Sequence, residues 1–558
     1  MYRSLIEKLV QRLIESDKVF EKVKPENFSF PPKVEMGDLS LPVFELAEGN
    51  PAEFAMQMAG KLGENQVWTK VSAAGSYLNF YLSPQFWAKE IIEIGNLKSE
   101  IGAKKKEKVM IEYSQPNTHK EFHVGHLRNV CIGAALVNLR KFSGDKVLAA
   151  NYIGDTGTHV SKCLWALRKF HDNDEPTGNK AEFLGKVYTE AVQKYDLDPE
   201  AKKEVSEISR KLESGDKEIT KLWKKTRQWS IDEFKRIYEL LGVKFDVIYF
   251  ESEEEKDGKK MLPQLLKNKC IREDNGAVIA DLREFGLEVL VLVKSDGSAL
   301  YGIKDIPLAF KKFKKYKLDE SIIVVDVRQK LYLKQIFKIL DLLGLTEKKT
   351  HVEYDFVNLK EGAMASRKGN VVSFEEFYNK MLKKSVAETK KRHEDWDENK
   401  IKEVAKKISL AAIKIGMLKF GNNKVITFDM DEALSFEGKT GPYLLYVAAR
   451  INSIKEKIKK VGGADYGLLK EPEEKELIKL LAEQENIIER ALRENDPSPL
   501  ANYLFDLAQK FNDFYQKHSI IRAEDENLKA ARFNLAQAVG ERLREGLKLL
   551  NVDSLEKM

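Results

Sequence analysis

The chain has 558 residues, with 94 Lys and Arg against 88 Asp and Glu; that length implies about three or four domains and a large core. The net charge of +6 permits local nucleic-acid patches without demanding them. Cys131, Cys163 and Cys270 lie far apart, which excludes a disulfide framework or a paired-cysteine zinc site, and no stretch has a signal peptide's apolar core or a membrane span's length, so a cytoplasmic protein is expected.

Residues 1–100 read as a small α+β unit. "MYRSLIEKLVQRLIESDKVF" carries apolar residues at helical spacing. "GDLSLPVFELA" and "NPAEFAMQMAGKL" suggest further helices, and "SYLNFYLS" alternates as a strand does. "GAKKKEK" (102–108) is expected to be a solvated linker.

From 105 to 400 strand and helix signals alternate. "VMIEYS" (109–114) is a short apolar strand, a helical run starts near His123, and Gly144 is placed to end it. "KVLAANYIG" (146–154) is the next strand. This βαβ unit seeds a doubly wound parallel, Rossmann-like sheet. A helical insertion is expected at about 181–241. Further strands are expected at "GAVIADL" (276–282), "LEVLVLVKSDGSALYG" (287–302), "SIIVVDV" (321–327) and "VEYDFVNL" (352–359). The third is rich in branched apolar residues, as a strand buried on both faces should be. From 401 to 558 the pattern is almost wholly helical. "KEKIKK" (455–460) reads as a solvated basic helix face.

The densest chemistry is in "SQPNTHKEFHVGHLRN" (114–129). His123 and His126 share one face of a first helical turn, beside unpaired N–H groups and the positive end of the helix dipole, which suits phosphate. Gly125 between them lets a flat base approach the backbone. A metal pair is the rival reading, but His119 and His159 are the nearest further ligands and no cysteine pair accompanies them.

Context decides between the two. "NTHKEFHVGHLRN" resembles the first signature of class I aminoacyl-tRNA synthetases in its arginyl branch, through Ser114, Pro116, Asn117, Lys120, His123, Gly125, His126, Leu127 and Arg128. "NYIGDTGTHV" is similar to the branch's next element, with Thr156 where Trp is usual. "WSIDEFKRIYELLGVKFDVIYFES" (229–252) is similar to its central helix and strand. "KSDGSALYGIKDI" (294–306) resembles a further motif, departing at Ile303 and Lys304. "GAMASRKGNVV" (362–372) resembles the second signature, with Ala363, Ala365 and Ser366 where lysine, serine and lysine are usual. "FEGKTGPYLLYVAARINSI" (436–454) and "VDSLEKM" are similar to the branch's helical C-terminal domain.

The resemblance implies an arginine–tRNA ligase. ATP would activate L-arginine as arginyl-adenylate, and the arginyl group would pass to the terminal adenosine of tRNA(Arg). His123, Gly125, His126, Met364 and Ser366 would bind ATP. Asn117, Glu251, Tyr301, Asp305 and Gln329 would bind arginine. Catalysis would fall to His123, His126, Lys120, Arg367 and Lys368, with Lys120 standing in for the missing loop lysine. Mg²⁺ would arrive with ATP and no structural zinc is expected. The N-terminal unit would touch tRNA, 401–558 would bind the anticodon, and the chain would act as a monomer. By residue type alone, Asp305 could be a helix cap, Glu251 part of a solvated acidic run, and Tyr301 a core aromatic.

Overall fold

The computed structural model describes residues 2–93, 106–172, 174, 176–297, 300–360, 372–458 and 462–558. The N-terminal unit contains α1 (Tyr2–Ser16), β1 (Leu39–Pro42), α2 (Pro51–Lys61), β2 (Trp68–Ala74), β3 (Tyr77–Leu82) and α3 (Pro84–Glu93). Leu5, Leu9 and Leu13 bury one stripe of α1. The strands form an antiparallel sheet in the order β1-β3-β2. "GDLSLPVFELA" is therefore a strand where a helix was expected. Leu39, Leu41 and Val43, two residues apart, are fully buried, and that apolar period of two belongs to a strand.

The central unit begins with β4 (Lys108–Glu112), α4 (Val124–Phe142) and β5 (Lys146–Ile153). Four helices follow, α5 (Thr158–Phe170), α6 (Lys180–Leu197), α7 (Pro199–Ser214) and α8 (Lys217–Leu241). They enclose a core of their own around Leu164, Leu184 and Val205. Then come β6 (Val247–Phe250), α9 (Glu251–Leu265), β7 (Ile271–Asp274), β8 (Ala277–Asp281) and β9 (Val289–Val293). The unit continues through α10 (Tyr301–Tyr316), β10 (Glu320–Asp326), α11 (Lys330–Leu342), β11 (Lys348–Tyr354), β12 (Val357–Leu359) and α12 (Phe374–Arg392).

Five parallel strands make the main sheet in the order β11-β10-β4-β5-β6. Ile322 and Val324 of central β10 are fully buried. Of the strands expected at 276–282 and 287–302, Ala277–Asp281 and Val289–Val293 form, in a separate antiparallel sheet β7-β8-β9, while residues 301–302 open α10 instead. Asn275 and Gly276, both at positive φ, turn β7 back on β8 in the manner of a two-residue hairpin.

The C-terminal unit is helical: α13 (Glu398–Leu418), α14 (Met430–Ala433), α15 (Gly441–Lys457), α16 (Pro472–Glu494), α17 (Ser498–Lys517) and α18 (Glu526–Leu549). One short strand, β13 (Ile426–Phe428), pairs with β12 and ties this unit to the central one. Helices α13, α16 and α18 pack on α4, whose Leu127, Val130, Ala134 and Leu139 are buried. A helix apolar nearly all round belongs inside, so α4 is held from both sides. Among the described residues no helix is long and apolar enough to cross a membrane.

Candidate active site

The sheet reverses between β4 and β10: the chain runs outward through β5 and β6 on one side and returns to β10 and β11 on the other. Such a switch point opens a crevice at the carboxyl ends of the strands. Two cavities lie there, of about 260 and 560 Å³, and Gln115 and Val325 line both.

The segment after β4 is held in a costly shape. Ser114, Gln115 and His119 all have positive φ, which costs a non-glycine residue on the order of 1–3 kcal/mol and persists only when surroundings over-determine it. Asn129 of α4 supplies much of that determination. Its side chain accepts from the Ser114 N–H at 2.6 Å and donates to the Val324 carbonyl at 2.8 Å and to Gln115 Oε1 at 3.2 Å. The Ser114 hydroxyl meets the Tyr238 hydroxyl at 2.7 Å. Asn117 bridges to Gly154, where a Cβ would fall 2.2 Å from Asn117 Oδ1, so only glycine fits.

His123 caps α4. Its Nδ1 accepts from the Gly125 N–H at 3.1 Å, and its own N–H donates to His126 Nδ1 at 3.2 Å. An accepting Nδ1 leaves the proton on Nε2. The rings stack at 3.8 Å. Burial, with neighbouring positive charge including Lys120, pushes His123 down to about 4 and His126 well below its ordinary value. Both are therefore neutral imidazoles, each with an Nε2–H to donate. His123, Gly125 and His126 line the larger cavity together with Asn129, Arg328, Tyr354 and Phe356. A Cβ on Gly125 would lie 3.0 Å from the His123 ring, so glycine keeps this turn open.

The smaller cavity is lined near its mouth by Asn117, Tyr301 and Gln329 and deeper by Glu112, Tyr152, Asp305 and Tyr332. Tyr332 donates to Asp305. Burial pushes the Asp305 carboxyl up to about 6, despite the Tyr332 hydrogen bond. Glu112 pairs with Lys312, both buried. The buried Tyr152 hydroxyl has no hydrogen-bond partner. With Glu112 already paired to Lys312, the Asp305 carboxylate, an unpartnered phenol and a half-buried amide are left to face an elongated cation with several N–H donors.

This chain is similar throughout its length to known synthetases. Residues 89–430 match the family described as tRNA synthetases class I (R), catalytic domain; 2–82 match Arginyl tRNA synthetase N terminal domain; and 444–558 match DALR anticodon binding domain. The arginine–tRNA ligase of Bdellovibrio bacteriovorus is 36% identical over 546 residues, covering 95% of this chain and 93% of that one. That of Clostridium botulinum is 34% identical over the full length of both. The arginyl-tRNA synthetase structure from Thermus thermophilus superposes with a TM-score of 0.82 at 28% identity, covering all of both chains. The chain belongs to the class I arginyl-tRNA synthetase family.

Against that family's pattern, the structure brings Asn117, Tyr301, Asp305 and Gln329 into one cavity. Asp305 sits in the second turn of α10, past any cap, and Tyr301 is 62% exposed at the mouth. Glu251 is buried at the start of α9 rather than solvated, and flanks the cavity without lining it. Its Oε2 accepts from the Thr156 hydroxyl at 3.3 Å and lies 3.5 Å from Lys304 Nζ. Lys304 also pairs with Glu255 at 3.3 Å and donates to Thr156 at 3.2 Å. Two of the departures from the synthetase motifs, Thr156 and Lys304, thus touch each other and Glu251. Burial pushes Glu251 up to about 7, with Lys304 opposing.

Lys120 is half-buried with its ammonium 5.1 Å from the Tyr188 ring centroid, beside both histidines but lining neither cavity. His119 is a core residue whose ring nitrogens meet the hydroxyls of Thr118 and Thr226, which leaves nothing for a metal. Met364, Ser366, Arg367 and Lys368, with Ala363 and Ala365, lie outside the described residues, as does most of 102–108. Glu112, Tyr152 and Tyr332 were not singled out in the sequence. Arg128 was noted only as part of the signature, yet it is fully buried and donates to the carbonyls of Asp355, Gly421, Asn422 and Lys424. It fastens α4 to the loops on either side of the β12–β13 pair.

Proposed function

We propose that the protein is an arginine–tRNA ligase that uses the two adjoining cavities for its two small substrates. The observation that carries this is their shared wall at Gln115 and Val325. ATP occupies the larger cavity, with adenine over Gly125 and phosphates toward the Nε2–H groups of His123 and His126. L-Arginine occupies the smaller one. Asp305 faces its guanidinium beside the Tyr152 hydroxyl and Glu112, and Glu251 adds negative charge from the cavity's flank. Tyr301 covers the side chain, and Asn117 and Gln329 orient the amino and carboxylate groups. The substrate carboxylate then lies where the cavities meet, beside the α-phosphate.

A carboxylate oxygen attacks the α-phosphorus and pyrophosphate leaves. Such a step needs positioning and cations or N–H donors on the oxygens that gain charge. His123, His126 and Lys120 supply these from the α4 side, and Met364, Ser366, Arg367 and Lys368 from the second signature. The 2′-hydroxyl of the terminal adenosine of tRNA then attacks the arginyl carbonyl, and AMP departs. Mg²⁺ enters on the ATP phosphates. Among the described residues the larger cavity's acidic lining is Asp355 and Asp326, the latter clasped by Arg328 at 2.7 and 2.9 Å.

In this reading 1–100 contacts tRNA, 105–400 performs the chemistry and 401–558 holds the anticodon. A third cavity of about 680 Å³, lined by Tyr443, Tyr446, Arg450 and Asn512, offers aromatic faces and a guanidinium on which unpaired bases stack. The enzyme acts as a monomer in the cytoplasm, without structural zinc. Arginine-dependent ATP–pyrophosphate exchange tests the reading. Exchange is expected only when tRNA is present, because the second signature has lost both lysines. Absence of exchange with tRNA, arginine and ATP together refutes the enzyme; robust exchange after rigorous tRNA removal refutes the tRNA requirement.

A further inference from the structure

The arginine cavity is deeper than arginine needs. Asp305, Leu308, Ala309, Lys312 and Phe313 line it from α10, and Tyr332, Leu333, Ile336, Phe337 and Leu340 from α11. On each helix these positions recur at helical spacing and form one face. Ser321, Ile323 and Val325, one face of β10, make the floor. Residues so placed ordinarily interdigitate and leave no void larger than a water. Here they line the inner part of a cavity of about 260 Å³ that runs from the mouth at Tyr301 and Gln329 to Phe313, Leu340 and Lys349.

Beyond Asp305 the polar lining is Lys312, Ser321 and Lys349. Asp305 lies one turn below Tyr301, about 6 Å along the helix axis. An extended arginine side chain spans roughly 7 Å from Cα to its terminal nitrogens, so its guanidinium reaches Asp305 and stops. Phe313 is two turns further, about 12 Å along the axis. Over that distance the walls are Leu308, Phe313, Leu333, Ile336 and Leu340. Lys312 passes through this region, but its ammonium turns to Glu112. Lys349 closes the far end with its ammonium donating to the Leu345 and Glu347 carbonyls. An apolar void of this kind stays dry and takes apolar ligands.

We propose that the α10–α11 seam is a subsite for an alkyl group on the substrate's guanidinium, so that the protein binds and activates ω-N-alkyl-L-arginines. This rests on the assignment of the smaller cavity to arginine. A small alkyl chain leaving the terminal nitrogen has only the seam to enter, and each buried methylene strengthens binding about fourfold.

The test uses the full chain with tRNA, in arginine-dependent pyrophosphate exchange. L-Arginine, ω-N-propyl-L-arginine and its terminal hydroxyl analogue are compared as substrates and competitors. The propyl compound is expected to support exchange and to compete at least as well as arginine, and the hydroxyl analogue to be about tenfold weaker, since Leu308, Leu333, Ile336 and Leu340 make most of the seam's walls. Ala309→Leu, which fills the seam, should weaken the propyl compound at least tenfold more than it weakens arginine. If arginine is activated but the propyl compound neither reacts nor competes, the subsite does not exist. Equal binding of the propyl and hydroxyl compounds, or a propyl affinity indifferent to Ala309→Leu in a variant that still uses arginine, overturns it as well. If arginine itself is not activated, the proposed function fails rather than the subsite.

Discussion

Replacing Asp305 by Asn separates the cost of keeping a buried carboxylate from its use. Burial pushes this carboxyl from 3.8 up to about 6. Each tenfold change in proton affinity is worth about 1.36 kcal/mol, so the ionised group costs the free fold up to ~3 kcal/mol. The sign follows from linkage. Below pH ~4 the group is protonated folded and unfolded, and the cost is absent; it grows as pH rises and is complete above about 6. Asparagine removes it while its Oδ1 still accepts from the Tyr332 hydroxyl. The ligand-free variant is therefore expected to be more stable than the parent at pH 7.5, by up to ~3 kcal/mol, and unchanged at pH 4. Arginine binding should move the other way. Truncating one partner of a buried charge pair costs roughly 2–5 kcal/mol, so affinity falls by on the order of 10²-fold or more. Urea midpoints at the two pH values and calorimetric titration with arginine give both numbers. A variant that is less stable at pH 7.5, or that binds arginine normally, refutes the assignment of Asp305 to the guanidinium.

His123→Asn keeps a side-chain acceptor at the α4 N-cap but removes the Nε2–H. Unfolding stability should hold within about 0.5 kcal/mol while kcat falls roughly 10²–10³-fold; a variant with normal kcat shows that the histidine is only a cap. Lys120→Ala should lower kcat by about 10²–10³ with a smaller change in KM for ATP, and Ser366→Lys should restore part of it. A kcat within about twofold of the parent assigns Lys120 to packing on Tyr188. Arg128→Met strips the part-buried Asp355, Gly421, Asn422 and Lys424 carbonyls of their donor and should cost about 2–4 kcal/mol of stability; an unchanged urea midpoint contradicts that fastening role. Glu251 and Asp305 are raised to about 7 and about 6, and arginine needs both ionised. The kcat/KM for arginine, which reports the free enzyme, should drop as pH falls from 8 through 7 to 6, and a flat profile there refutes the pairing.

Much of the site was legible because its determinants are local. A helix N-terminus, a histidine three residues on and a glycine between them lie within one turn, and His123, Gly125 and His126 occupy that turn. Helix α10 was not legible: residues 301–302 read as the end of an extended segment and Asp305 at most as a cap, whereas the helix starts at Tyr301 and carries Asp305 past the cap and into the cavity. What escaped depends on convergence from distant segments. Glu112 reads as the polar end of a strand and Tyr152 as a core aromatic until β4, β5 and α11 bring them beside Asp305. Glu251 reads as solvated because it opens an acidic run; its burial follows from Lys304 and Thr156, which meet only in the folded chain. The errors in elements have the same origin. The alternation of Leu39, Leu41 and Val43 marked a strand that the flanking Glu-Leu-Ala obscured. The Asn275–Gly276 pair marked a hairpin, which places β7 and β8 in an antiparallel sheet of their own.

The central claim is selection of one amino acid for one tRNA, and aminoacylation tests it most directly. The full chain is incubated with ATP, Mg²⁺ and total tRNA, and offered each of the twenty labelled amino acids in turn. Arginine alone is expected to become acid-precipitable, in an ester linkage to tRNA that mild base releases. Charging by a different amino acid, or by none while arginine still binds, contradicts the account.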